Sequence, residues 1–232
     1  MEIDGFNITI PYKQEIMKYV DQLDESAEKI GAVNTVVYKN GKWIGYNTDG
    51  IGYVQSLNYQ YPYFFQNKST KKILILGAGG AARGIYYALN DAGFLHIDIA
   101  NRTVSKALDI RKIKKDNVTT NCITLNDGEQ LADQYDLIIQ TTNVGMAPNE
   151  HNTPIELKKL KEKAIVSDIV YTPFHTLFLK QGMKLGANIH NGHSMLIFQG
   201  VEAFRLWTGI KIDPSLLLTE LEDRLKNKKG DG

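Results

Sequence analysis

Apolar positions follow two rhythms along this chain. From residue 71 onward, short β-branched runs at 73–76, 97–100, 122–125, 136–140, 164–168 and 188–190 alternate with stretches where apolar residues return at helical spacing. Those stretches lie at 81–91, 104–113 and 174–185, the last preceded by Pro173 where a helix commonly starts. Strands alternating with helical patterns predict a parallel, doubly wound α/β sheet of six strands. Residues 59–70 keep neither period and end in turn-prone polar residues, so a connector and a nearby domain boundary are expected there. Ahead of it, runs at 6–10, 33–39 and 42–46 read as strands, the last two joined by Asn40-Gly41, a strong two-residue hairpin signal. At the far end Asp213-Pro214 reads as a cap and a first-turn proline. Leu216, Leu217, Leu221 and Leu225 follow on one apolar face, and residues 226–232 form a polar tail expected to fray.

The first strand of the parallel set runs directly into Gly77-Ala78-Gly79-Gly80-Ala81-Ala82 and then a helix. This matches G-x-G-x-x-G/A through Gly77, Gly79 and Ala82, the loop that brings backbone N–H groups up to a pyrophosphate in a Rossmann-type domain. The end of the next strand selects the cofactor. A ribose 2′-hydroxyl calls for an acid there, whereas this chain offers Asn101, Arg102 and Thr103, then Lys106 one turn on, a set suited to a 2′-phosphate. NADP is the expected cofactor.

Composition narrows the partners. Twenty-seven basic against 26 acidic residues give a formal charge of +1, without the basic field of a nucleic-acid binder, and a small-molecule substrate is favoured. Cys122 is the single cysteine, in an apolar run that reads as a buried strand; it excludes an internal disulfide framework and a multi-cysteine zinc site. No metal is expected, nor a membrane span or a signal peptide, and a reducing cytoplasm suits the chain.

Hydride transfer to a carbonyl needs a proton at its oxygen. Of His96, His151, His175, His190 and His193, only His193 sits in a suggestive glycine-containing loop, and each reads best as structural or exposed. More suggestive are Lys13, just past a strand closed by Pro11, and Asp49, in the polar turn Asn47-Thr48-Asp49-Gly50. Together a lysine and a carboxylate form a charge-assisted pair able to serve a reacting alcohol. From spacing alone an exposed Lys13 and a turn-forming Asp49 stay open beside that reading.

The strings NITIPYK, GAVNT, GYNTDG, GAGGAARG, NRT, DIVYTP and NGHSMLIFQG, in this order, resemble the successive signature segments of shikimate dehydrogenases. The resemblance implies that Lys13 and Asp49 are the catalytic pair and that Thr9, Asn34, Asp49, Tyr171 and Gln199 meet the substrate. It places the NADP phosphates over Gly77, Ala78, Gly79, Gly80 and Ala81, the adenosine phosphate against Asn101 to Lys106, and the nicotinamide near Ile169, Gly192 and Met195. Glu25 also aligns near the cofactor, although a helix-surface glutamate is the simpler reading. Two departures stand out: Val104-Ser105-Lys106 follows where relatives often carry a second arginine, and the family's N-terminal segment, with a serine-x-serine stretch that grips the substrate carboxylate, is not found here.

The expected architecture is therefore a Rossmann lobe, residues 53–193, beside a second, incomplete α/β substrate lobe, residues 1–52 and 194–232. The implied activity is NADPH-dependent reduction of 3-dehydroshikimate to shikimate, in a monomer or homodimer. A quinate/shikimate dehydrogenase using NAD, or a catalytically impaired NADP-binding fragment, are the alternatives.

Overall fold

The computed structural model describes residues 3–9 and 11–227. Ile10, expected at the end of the first strand, and tail residues 228–232 lie outside them. The first sheet contains β1 (Gly5–Asn7), β2 (Gln22–Leu23), β3 (Thr35–Lys39) and β4 (Lys42–Tyr46), in the order β1-β3-β4-β2. The pairs β1/β3 and β3/β4 are antiparallel and β2/β4 is parallel. Asn40 and Gly41 turn the hairpin at φ 53° and 77°, the left-handed pair that a two-residue turn requires. Helix α1 (Glu25–Ile30) lies between β2 and β3, capped by the Asp24 carboxylate, which accepts from the Ser26 N–H.

Helix α2 (Asp49–Gln60) leads from this sheet, through two short 3₁₀ turns at Pro62–Phe65 and Lys68–Thr70, into the larger one. There β5 (Lys72–Leu76), α3 (Gly80–Asp91), β6 (His96–Ala100), α4 (Val104–Arg111), β7 (Cys122–Ile123), α5 (Leu125–Gln130), β8 (Leu137–Gln140), β9 (Ile165–Asp168), α6 (Leu177–Lys184) and β10 (Asn188–Asn191) follow in turn. All six strands are parallel in the order β10-β9-β8-β5-β6-β7. This is a doubly wound Rossmann-like sheet whose order reverses between β5 and β8, opening a crevice beyond their carboxyl ends. Its central strands read as unbroken apolar runs because both faces are covered. Ile73, Ile75, Ile97, Ile99, Leu137 and Ile139 enter the core beneath α3, and Leu74, Leu76, Ile138 and Val166 enter the opposite core with Phe178 and Leu179 of α6.

Three expectations need correction. The run 122–125 is a strand only to Ile123, because Thr124 and Asp127 form a reciprocal capping box that starts α5; Cys122 is partly exposed. Pro173 follows a cis peptide and does not open a helix. The helix starts at Leu177, where the Thr176 hydroxyl accepts from the Leu179 N–H. Finally, the last helix, α8 (Ser215–Asn227), buries only part of its apolar face: Leu216 is 81% and Leu217 40% exposed, while Leu221 and Leu225 are half-buried. The Asp213 carboxylate does cap it, accepting from the Ser215 N–H at 2.9 Å.

Helix α7 (Gly192–Thr208) returns the chain to the first sheet, where Trp207 Nε1 donates to the Val36 carbonyl at 3.0 Å. Residues 52–53 and 193–194, where the two lobes were expected to meet, lie inside α2 and α7. These helices pack on each other through glycine. A Cβ on Gly52 would stand 2.6 Å from the Gln199 backbone nitrogen, and one on Gly50 would stand 2.2 Å from the Gly84 carbonyl oxygen of α3.

Candidate active site

Asp49 is the first residue of α2, a position where helix N–H groups favour negative charge. Its own N–H is taken up by Asn47 Oδ1 at 3.1 Å, and the Asn47 amide in turn donates to the Ala32 carbonyl. Lys13 reaches it from the loop after β1. The Val33 N–H donates to the Lys13 carbonyl at 2.8 Å, and Lys13 Nζ donates to Asp49 Oδ2 at 2.7 Å. Both side chains keep some solvent access, 27% and 17% respectively, as a pair that must meet a substrate requires.

Asn34 organises the surroundings. Its Nδ2 donates to Asp49 Oδ1 at 2.9 Å and to Thr48 Oγ1 at 3.0 Å, with Gln199 Oε1 at 3.3 Å, while its Oδ1 accepts from the Thr48 N–H and the Thr35 hydroxyl. Lys13, Asn34, Asp49 and Gln199 therefore form one connected cluster, three members from the first fifty residues and the fourth from α7. Thr9 and Tyr171 are exposed and outside its hydrogen bonds among the described residues. Glu25 is on the surface of α1, its carboxylate 3.9 Å from Lys29.

The glycine loop is formed as its sequence requires. Gly77 sits at φ 112°, and a Cβ there would meet Thr141 Oγ1 at 2.7 Å. Gly79 caps α3 in an extended conformation, and both Gly79 and Gly80 face open space, so backbone N–H groups stand uncovered at a helix N-terminus. Ala78 and Ala81 are half-buried beside them. Past β6, the Asn101 amide donates to the Thr103 carbonyl at 2.9 Å, and the Thr103 hydroxyl makes no cap bond. Arg102 and Lys106 are exposed, with no ion pair among the described residues. An open N-terminal cradle followed by unpaired cations fits a dinucleotide with an extra phosphate. Across the crevice, a Cβ on Gly192 would stand 2.3 Å from the Ile169 carbonyl, and Ile169 packs against the core that contains Met195.

Comparison with known proteins decides what this arrangement belongs to. Residues 1–36 match the shikimate dehydrogenase substrate binding domain, 63–172 the shikimate / quinate 5-dehydrogenase family, and 192–221 the shikimate 5′-dehydrogenase C-terminal domain. A shikimate dehydrogenase (NADP(+)) of Oceanobacillus iheyensis is 46% identical over 97% of this chain and 80% of its own length. The chain belongs to the shikimate dehydrogenase family. Among solved structures, a shikimate dehydrogenase in complex with NADP+ superposes with a TM-score of 0.84 at 41% identity, covering 96% of this chain and 77% of that one. The enzyme from Thermus thermophilus, in complex with NADP(H) and shikimate, gives 0.79 at 32% identity, covering 96% and 79%.

Several residues that shape this family site had no sequence signal strong enough to single them out. Gly50 and Gly52 are one example, and Asp168 and His190, each fully buried, are another. His193 behaves differently from His190: its Nδ1 has no hydrogen-bond partner among the described residues, and its Nε2 lies 3.9 Å from Glu222 on α8. Burial lowers its pKa.

His190 and Asp168 act on stability with opposite sign. Burial, and to a smaller extent His193, pushes His190 down to about 3 from 6.5. Its contribution is complete above the unfolded value and is lost on acidification towards about 3, at about 1.4 kcal/mol per pH unit. Burial raises Asp168 from 3.8 to about 7, against hydrogen bonds from the Thr176 hydroxyl and the Val170 N–H. Its contribution is complete below the unfolded value and is lost as pH rises to about 7. Between the two unfolded values the slopes offset. Asp168→Asn, which resembles the protonated acid, removes one of them. Urea titrations between about pH 4.5 and 6.5 are expected to show the variant losing stability on acidification about 1.4 kcal/mol per pH unit more steeply than wild type. Equal slopes would show Asp168 ionised in the fold.

Proposed function

We propose that this chain catalyses the reversible, NADPH-dependent reduction of 3-dehydroshikimate to shikimate. The observation that carries the reading is the solvent-accessible Lys13–Asp49 pair at 2.7 Å, tied through Asn34 to Gln199 of α7, the helix that begins at Gly192. Bound NADPH supplies the hydride in reduction, and NADP+ accepts it in the reverse direction. Lys13 delivers the proton to the carbonyl oxygen and takes it back from the alcohol in oxidation, while Asp49 holds the ammonium in place and accepts from a substrate hydroxyl. Asn34 and Gln199 orient further hydroxyls, with Thr9 and Tyr171 contributing from the cleft edge once substrate is present.

Gly77, Ala78, Gly79, Gly80 and Ala81 receive the pyrophosphate, Asn101, Arg102, Thr103 and Lys106 the 2′-phosphate, and Ile169, Gly192 and Met195 the nicotinamide. In this reading residues 53–193 are the cofactor lobe, and residues 1–52 with 194–232 are the substrate lobe. The protein acts in the cytoplasm as a monomer or homodimer. Oxidation of NADPH dependent on added 3-dehydroshikimate tests the activity, and its absence at saturating cofactor overturns the reading. Arg102→Ala is expected to weaken NADP binding by about 10–100-fold, the worth of one charged hydrogen bond, and to leave NAD binding nearly unchanged. Equal losses for both cofactors in calorimetry would remove Arg102 from the phosphate site.

A further inference from the structure

The His190 ring is fully buried where α2, α7, β9 and β10 meet, and three serine hydroxyls face its nitrogens. Ser167 Oγ lies 2.9 Å from Nδ1, and Ser56 Oγ and Ser194 Oγ lie 3.1 and 3.2 Å from Nε2. One assignment of the hydrogens satisfies every group in this network. In it the Ser56 hydroxyl donates to the Tyr53 carbonyl at 2.8 Å and that of Ser194 to the Asn191 carbonyl at 2.7 Å, which takes up each serine's only hydrogen. Both then face Nε2 with lone pairs, and Nε2 carries the ring hydrogen and shares it between them; an Nδ1–H ring would instead leave the Ser167 or the Tyr53 hydroxyl hydrogen without an acceptor in the network. A neutral ring then has a bare Nδ1, which accepts from the Ser167 hydroxyl. Ser167, having donated, accepts from the Tyr53 phenol at 2.9 Å.

The elements joined are those that carry the site. Tyr53 and Ser56 stand one and two turns along α2 from Asp49. Ser167 precedes Asp168, the last residue of β9, with Ile169 just past it, and Ser194 lies between Gly192 and Met195 on α7. Apolar packing alone lets two helices slide by fractions of a side chain, whereas a fully satisfied, directional network sets their register. We infer that His190, held as the neutral Nε2–H tautomer, is a positioning residue that sets the Asp49 end of α2 against the nicotinamide-facing start of α7. The inference rests on the dehydrogenase reading of the cleft.

Nitrogen-15 NMR of the full chain tests the tautomer without reference to turnover. His190 is expected to show a protonated Nε2 and a bare Nδ1 throughout the range from about pH 5 to 8. An Nδ1–H tautomer, or titration within that range, overturns the inference. Kinetics test the positioning. His190→Ala is expected to lower kcat by about 10–100-fold, with KM and NADP affinity moving little, because misplacement acts on the reacting geometry. His190→Gln, whose planar amide offers one acceptor atom and one donor atom as the imidazole does, is expected to restore most of that loss. Unchanged kcat in His190→Ala overturns the positioning role, as does a loss of kcat matched by NADP affinity and unrelieved by glutamine. Should wild type show no turnover, the functional reading fails instead. The nitrogen-15 signal of the Lys13 ammonium then decides the positioning: displaced in His190→Ala and recovered in His190→Gln supports it, and unmoved refutes it.

Discussion

Lys13→Ala and Asp49→Asn are each expected to lower turnover of 3-dehydroshikimate by about 10²–10⁴-fold, the usual worth of a positioned proton-transfer group. Lys13 Nζ and Asp49 Oδ2 are in direct contact, so removing either changes the charge and the proton available to the other. Asp49→Asn is the more informative variant. It keeps an oxygen for the Asn34 amide to donate to, so the Asn34 hub survives while the charge is lost. NADP affinity, which the proposed reading assigns to the glycine loop and the residues past β6, is expected to stay nearly constant in both. Steady-state rates at saturating substrate, with cofactor titrations alongside, make the comparison, and near wild-type turnover in either variant would remove that residue from the chemistry. Because the two act as a unit, the double variant should be barely worse than either single one.

Gly50→Ala is expected to destabilise the fold by about 2–4 kcal/mol, at or beyond the upper end for overpacking, whereas Gly84→Ala should be neutral or mildly stabilising. The two glycines touch each other, yet the contact is one-sided. A methyl group on Gly50 would lie 2.2 Å from the Gly84 carbonyl oxygen and 3.0 Å from the Ala88 Cβ, so α2 and α3 would have to separate. A methyl on Gly84 finds its nearest neighbour, the Gly50 nitrogen, at 3.7 Å, an ordinary contact, and alanine favours the helix. Any shift of α2 carries Asp49 with it, so Gly50→Ala should also lower kcat. Chemical denaturation of both variants provides the check, and similar losses would show that the helices adjust freely.

Much of this was legible in the residues. The parallel strands stood out because the central ones, β5, β8 and β9, carry apolar runs buried on both faces and most strands are set apart by a helical period, although β8 and β9 have no helix between them among the described residues, and the Asn40-Gly41 turn has few alternative conformations. Lys13 and Asp49 were visible as polar groups past strand ends, but nothing in their spacing required them to meet. That contact depends on α2 starting at Asp49, and a helix opening with two glycines in four residues has little local propensity to announce it. Its stability comes from α3 and α7, far along the chain. The serine cage of His190 was hidden for the same reason: Ser56, Ser167 and Ser194 are ordinary residues until topology gathers them. The exposed Leu216 shows the converse, where periodicity suggested a buried face that tertiary packing does not supply.

The bond from Trp207 to the Val36 carbonyl closes a loop of 171 residues, which sets an order of events during synthesis. A ribosome adding ~5–20 residues per second needs about 10–30 s to make the intervening chain. Once β4 and Gly52 have been made, the first sheet is complete in sequence but lacks the helix that braces it, and Gly52 has no Gln199 to pack against. The bond from Asn34 to Gln199 is thus among the last to form around the Lys13–Asp49 pair, well after the glycine loop has been made and can fold.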